Sequence, residues 1–234
     1  APTNNNIIWN ENDGLGNFGP PQIINPFIIL PNYKTVADID NNGTNDVLYS
    51  SSSENKIAFN LNNGAGSFSA QQVIDTLCDG VVKVLATDIN NDGYLDVIAG
   101  TVVSSASSST IHYYLNDGAN NFSPPQSITA TSTSFRDMEM YDFNNDGYLD
   151  LCVVYSNQLY LYINNGNGTF APAQIIYIQL FNQGISIIDL DQNGTDDIVI
   201  INIYGQLLWF SHEGNATFAS PVIISPTMSN VRDF

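Results

Sequence analysis

The chain has 234 residues, 43% of them hydrophobic, which is ample for a buried core, and 23 acids against five Lys and Arg give a formal charge of −18. Five scattered cations (Lys34, Lys56, Lys83, Arg136 and Arg232) build no basic face, which excludes nucleic acid and anionic membrane surfaces as partners. No run approaches the roughly 18 apolar residues of a spanning helix, so membrane insertion by a helix is not expected.

Taken in order, Ala1–Asn6 reads as a loose tail. Ile7–Asn10 and Gln22–Ile24 read as two strands around an Asn/Gly-rich turn that closes on Phe18. A fuller unit follows and recurs over residues 36–74, 85–128, 138–176 and 186–224. In the second copy, strands are expected over Val82–Thr87, Val97–Val102, Thr110–Leu115 and Ser127–Ala130, with Ser104–Ser109 as a long loop. The turn between the third and fourth strands repeats as Asn12–Phe18, Asn62–Phe68, Asn116–Phe122, Asn164–Phe170 and His212–Phe218. Four short strands at a period near 50, with no helical periodicity, predict a β-propeller of four-stranded antiparallel blades. The whole chain reads as one such domain: four near-complete blades plus a partial fifth from 7–24 and 229–234.

Between the first two strands of each unit lies a nine-residue loop, beginning at Asp38, Asp88, Asp142 and Asp189. Each copy places an oxygen-bearing side chain at positions 1, 3, 5 and 9 and Gly at position 6. Alternating oxygens on a loop that turns sharply at Gly suit a hard cation with six to eight oxygen ligands, and up to four Ca²⁺ are expected. The expected ligands are Asp38, Asp40, Asn42 and Asp46; Asp88, Asn90, Asp92 and Asp96; Asp142, Asn144, Asp146 and Asp150; and Asp189, Asp191, Asn193 and Asp197. The backbone carbonyls of Thr44, Tyr94, Tyr148 and Thr195 complete the four sets. An EF-hand would need Glu at position 12, which is Tyr49, Ala99, Val153 or Ile200, followed by a helix rather than these β-branched runs. An Asx-rich turn without metal would crowd three carboxylates with nothing to offset their repulsion. Loops of modest charge suit millimolar calcium, which points outside the cell.

The pairing of Asp-x-Asp-x-Asp/Asn-Gly-x-x-Asp before a strand with Asn-x-Gly-x-Gly-x-Phe resembles the FG-GAP/VCBS repeat family along nearly the whole chain. The resemblance implies an integrin-α-like propeller with Ca²⁺ in the loop between the first two strands of each blade, at the cell surface or secreted. Members include adhesion proteins, lectins and some polysaccharide lyases, so the resemblance leaves the activity open. Adhesion, glycan binding and structural assembly remain the expected roles, with a lyase-like enzyme as the alternative.

No nucleophile and base stand at readable spacing, and His112 and His212 are expected to be structural or exposed rather than catalytic. Trp9, Phe59, Tyr113, Leu161 and Trp209 share one position before each turn, where packing is expected ahead of sugar stacking. The five turn Phe residues are expected to pack blade on blade. Cys152 reads as a small core residue, with a bridge to Cys78 as the alternative. Asn-x-Ser/Thr triplets stand at Asn42, Asn121, Asn167, Asn193 and Asn215. In a eukaryotic source, glycans are expected on the turn residues Asn121, Asn167 and Asn215, not on the loop pair. The partial blade lacks a strand and a loop, so its edges are expected to pair with further chain or with other copies of this chain, or five blades to close imperfectly with a shifted strand.

Overall fold

The computed structural model describes residues 6–26, 28–29, 31–103, 108–131 and 133–225. β1 (Ile7–Trp9) and β2 (Gln22–Asn25) form a two-stranded antiparallel sheet. The first full repeat is β3 (Tyr33–Ala37), β4 (Asp46–Ser51), β5 (Lys56–Asn60) and β6 (Gln72–Asp75), hydrogen-bonded in chain order. The second is β7 (Val81–Thr87), β8 (Asp96–Val103), β9 (Ser108–Tyr114) and β10 (Gln126–Thr131), also in chain order. The third is β11 (Phe135–Tyr141), β12 (Asp150–Tyr155), β13 (Gln158–Tyr162) and β14 (Gln174–Ile178). In the fourth, β15 (Phe181–Ile188), β16 (Asp197–Asn202) and β17 (Leu207–Phe210) are followed by a hairpin of β18 (His212–Gly214) and β19 (Thr217–Phe218), and β20 (Val222–Ile223) closes the sheet. No helix occurs among the described residues, so none is long and apolar enough to cross a membrane.

The expected strands are present; that of the second repeat starts one residue early, at Val81, and the first strands of the other three start three to five residues before their expected units, at Tyr33, Phe135 and Phe181. Polar residues interrupt the apolar run there while the ladder continues, as Lys34 opposite Tyr49 and Thr35 opposite Leu48 show. The serine-rich stretch is shorter than a loop over 104–109: Ser108 and Ser109 belong to β9, and the buried Ser109 hydroxyl accepts the Phe135 N–H at 2.7 Å. The expected terminal strand at 229–234, like most of the tail, lies outside the described residues. The second strand of each repeat is covered on both faces: β4, β12 and β16 are buried at all six positions. That double burial explains the apolar runs within them, residues 47–49, 151–155 and 198–201.

The chain divides into two units. The first comprises Ala1–Ala86, Tyr94–Ser104 and Ile111–Gln126. One face of its β3–β6 sheet packs Val47, Tyr49 and Ala58 against Ile7, Ile24 and Ile28. The other packs Leu48, Ile57 and Phe59 against Val81, Val84, Val97 and Tyr114. The second unit comprises Thr87–Gly93, Ser105–Thr110 and Ser127–Phe234. Its core joins Cys152, Val154, Leu159 and Leu161 to Phe181, Ile185, Ile198, Ile200 and Phe210. Cys78 and Cys152 are both free and buried, so no bridge joins them.

Candidate metal centres

Each loop winds around its first residue. The N–H groups of positions 5 and 6 donate to the two oxygens of the position 1 carboxylate: Asn42 and Gly43 to Asp38, Asp92 and Gly93 to Asp88, Asp146 and Gly147 to Asp142, Asn193 and Gly194 to Asp189, all at 2.8–3.2 Å. The turn needs a left-handed backbone at position 6, where Gly43, Gly93, Gly147 and Gly194 hold φ of 86° to 90°.

Position 9 begins the second strand of the repeat, and Asp46, Asp96, Asp150 and Asp197 are all fully buried. Their burial is compensated by donated hydrogen bonds, which reach Asp46, Asp150 and Asp197 from both loop and hairpin. Asp46 Oδ2 accepts the Ile39 N–H at 2.8 Å and Oδ1 the Asn62 N–H at 2.7 Å. Asp150 takes Phe143 at 3.1 Å and Asn164 at 2.9 Å in the same way. Asp96 accepts the Asn116 N–H at 2.8 Å. Asp197 takes Leu190 at 3.2 Å, His212 at 2.8 Å and additionally the Trp209 indole N–H at 2.8 Å. The two repeated motifs are therefore one structure, with the buried Asp tying loop to hairpin.

The hairpin Asn adds a second tie. Asn116 Nδ2 donates to the carbonyls of Leu95 and of Ile39, the latter in the loop of the preceding repeat. Asn164 does the same to Leu149 and Ile89. His212 stands at that place in the fourth hairpin, and there the Ala216 N–H reaches the Phe143 carbonyl at 2.9 Å instead. The His212 ring is buried, stacked on Phe218 at 5.0 Å and edge-on to Phe143 at 5.9 Å, and neither ring nitrogen has a partner among the described residues. Burial lowers the pKa of His112 on β9. Neither histidine is brought to a loop as an additional ligand.

Two of the four expected sets bring three carboxylates together. The ligand oxygens of Asp38, Asp40 and Asp46, and those of Asp189, Asp191 and Asp197, lie within 4.8 Å of one another. These loops carry Asp at position 3. Their position 5 amides, Asn42 and Asn193, accept the N–H and hydroxyl of Thr44 and Thr195 at 2.5–2.8 Å. In the second and third loops Asn90 and Asn144 occupy position 3 and donate to Asp92 and Asp146 at 2.9 and 2.8 Å. At position 7 of those loops, Tyr94 and Tyr148 lay their rings over Gly118 and Gly166, leaving no room there for a Cβ.

Among the described residues no cation is paired with the charge of the first, third and fourth loops. Their carboxylates form no ion pair there, whereas Lys56 pairs with Glu54 at 2.9 Å. Burial pushes the Asp150 carboxyl up to about 6, and the neighbouring Asp146 and Asp142 charges add to the rise. Burial likewise raises Asp46, with Asp40 and Asp38 contributing. An all-oxygen donor set with uncompensated charge is what a hard divalent cation fits.

Beside the first loop opens a cavity of about 290 Å³ lined by Asp40, Asn42, Asn62, Asn63, Ser67 and Phe68, among others. Of the shared aromatic position, Phe59, Tyr113 and Leu161 are buried, whereas Trp9 is half-buried with its ring 6.4 Å from Phe68. Phe122 packs edge-on to Phe59 at 5.7 Å and Phe218 to Phe143 at 5.5 Å, as expected of the turn Phe residues. Phe18 departs from that expectation and is 68% exposed, since no described repeat precedes its hairpin.

No characterised protein matches the chain by sequence. Its fold is similar to an Agrocybe aegerita lectin described as recognising non-reducing terminal N-acetylglucosamine, with TM-score 0.69 and 18% identity over 92% of this chain and 59% of the lectin. It is similar to the BP39L lectin of Burkholderia pseudomallei, with TM-score 0.70 and 16% identity over 91% of this chain and 61% of that one. A luciferin-regenerating enzyme matches at TM-score 0.53 and 10% identity over 89% and 67%. The chain thus spans about three fifths of the two lectins' length. The family model for the FG-GAP-like repeat matches residues 38–99, 101–153 and 142–191, more than half of the sequence. With four loop-and-hairpin units tied together by buried aspartates, this chain belongs to the FG-GAP-like repeat family.

Proposed function

We propose that this chain is a non-catalytic, extracellular glycan-binding module: a single β-propeller domain whose loops hold up to four Ca²⁺ through the side chains named above and the carbonyls of Thr44, Tyr94, Tyr148 and Thr195. Calcium supplies the positive charge that the clustered carboxylates lack. It would fix each loop against its hairpin.

The observation that carries glycan binding is the cavity beside the first loop. Phe68 and Leu61 line it together with Asp40, Asn42, Asn62, Asn63, Ser67 and Ser69. An apolar ring face beside planar polar groups is the combination that recognises a sugar, and about 300 Å³ is the lower end of ligand-site volumes. Likeness to two lectins supports the same reading. Asp40 and Asn42 line the cavity and belong to the first loop, so glycan binding should depend on calcium. A glycan array probed with and without excess chelator tests this. Binding lost in chelator and weakened by Phe68→Ala is the expected result; no glycan bound in calcium would overturn it.

A further inference from the structure

The first and fourth loops form a natural comparison. Both read Asp-x-Asp-x-Asn-Gly-Thr-x-Asp, and in both the three carboxylates converge. They differ in what backs them. Behind the first loop stand Phe59 on β5 and Leu61 just past it, whose side chains have no hydrogen to donate. The equivalents in the fourth repeat are Trp209 on β17 and Ser211. Trp209 Nε1–H donates to Asp197 Oδ2 at 2.8 Å, and the Ser211 hydroxyl donates to Asp191 Oδ2 at 3.4 Å.

Counting lone pairs shows the consequence. A carboxylate offers about two acceptor sites on each oxygen. Asp197 Oδ2 already takes the Leu190 N–H and the Trp209 indole, which fills both. Oδ1 takes the His212 N–H and keeps one site. Asp46 takes one N–H on each oxygen and keeps one site on each. Asp46 can therefore clasp a cation with both oxygens, and Asp197 with Oδ1 alone.

We propose that Trp209 sets the ion selectivity of the fourth loop by confining Asp197 to a single coordinating oxygen; this rests on the reading of the loops as divalent-cation sites. Ca²⁺ takes six to eight oxygens and accepts bidentate carboxylates, whereas Mg²⁺ demands six in near-octahedral array and prefers single oxygens. Removing one oxygen from the fourth set penalises Ca²⁺ and leaves Mg²⁺ unaffected. A donor that merely oriented Asp197 would shift both ions alike, as would the extra charge of Asp196, which stands where the first loop has Asn45. The ratio of the two affinities isolates the ligand count.

The test is an NMR titration of the whole ¹⁵N-labelled chain with CaCl₂ and, separately, MgCl₂. Gly43 and Gly194 donate their N–H to the position 1 carboxylates of their own loops at 2.8 and 3.0 Å, so each amide reports one site. The Ca²⁺/Mg²⁺ affinity ratio should be about tenfold smaller at Gly194 than at Gly43, the scale on which groups behind metal ligands act. Trp209→Phe should raise the ratio at Gly194 and leave Gly43 unchanged. Benzothienylalanine in place of tryptophan removes the N–H while keeping the ring shape, and should do the same. Equal ratios in the native chain, or both ions moving by one factor in the variants, overturn the proposal. Response at Gly43 alone also overturns it while the calcium reading stands; response at neither glycine brings both down.

Discussion

The side-chain amide of Asn164 lies 3.0 Å from the carbonyl of Ile89, so the hairpin of the third repeat is fastened to the loop of the second. The same amide donates to the Leu149 carbonyl at 3.1 Å, and Asn164 is almost fully buried. Asn164→Ala leaves two carbonyls without this donor. The expected loss is about 2 kcal/mol, or on the order of 4–8 °C in Tm. Asn12 holds the equivalent place in an exposed hairpin, and Asn12→Ala should change Tm by less than about 2 °C. Thermal denaturation of the two variants side by side decides it; equal losses would show that the tie carries no stability.

Chelation should lower Tm. A ligand that binds only the folded state stabilises it by about 2.7 kcal/mol per site at roughly 100 times Kd. Asp92→Ala and Asp146→Ala should each reproduce part of the loss. A melting curve unchanged by excess chelator would remove the calcium assignment.

The chelated protein should also respond to acid in a defined direction. The Asp150 carboxyl is pushed up to about 6, above its ordinary 3.8, chiefly by burial. The metal-free fold then binds more protons than the unfolded chain between those values, so this group's penalty is relieved as pH falls through 6. Bound calcium would hold the same carboxylate ionised. The Tm difference between loaded and chelated protein should narrow from pH 7 to pH 5, and calorimetry showing it widen would contradict the geometry around Asp150.

Gly166 and Gly14 separate backbone strain from packing. Both hold positive φ, at 70° and 76°, but a Cβ at Gly14 meets open space and one at Gly166 meets the Tyr148 ring. Each substitution by Ala carries the left-handed penalty of about 1–2 kcal/mol. Gly166→Ala should lose about 1 kcal/mol more, the low end of the range for overpacking. Urea denaturation of both variants measures the difference, and equal losses would mean that the tyrosine moves aside freely.

Neither thiol should react in the native protein. Burial pushes Cys78 up to about 11 and raises Cys152 further, and neither is exposed. Ellman's reagent at pH 8 should label both cysteines only as the chain unfolds. Fast labelling under native conditions would show that a repeat opens locally.

Repetition makes part of this molecule legible in residue order alone. The four loops, their position 6 glycines and the short β-branched runs after them follow from residue type and spacing, because a nine-residue turn and a strand are decided by neighbouring residues. Even the full burial of β12 and β16 shows in their unbroken apolar runs. Tertiary structure alone decided which partners those residues meet. Nothing in the spacing of Asp150 and Asn164 says that a buried carboxylate joins them, since the sheet's register brings them together across β12 and β13. Ile39 and Phe143 read as incidental apolar residues at position 2 of a polar loop, yet both are completely buried in core clusters. The identical carboxylate patterns of the first and fourth loops concealed their difference altogether, because it lies at Phe59 and Trp209, on a strand that only folding places behind the candidate metal ligands.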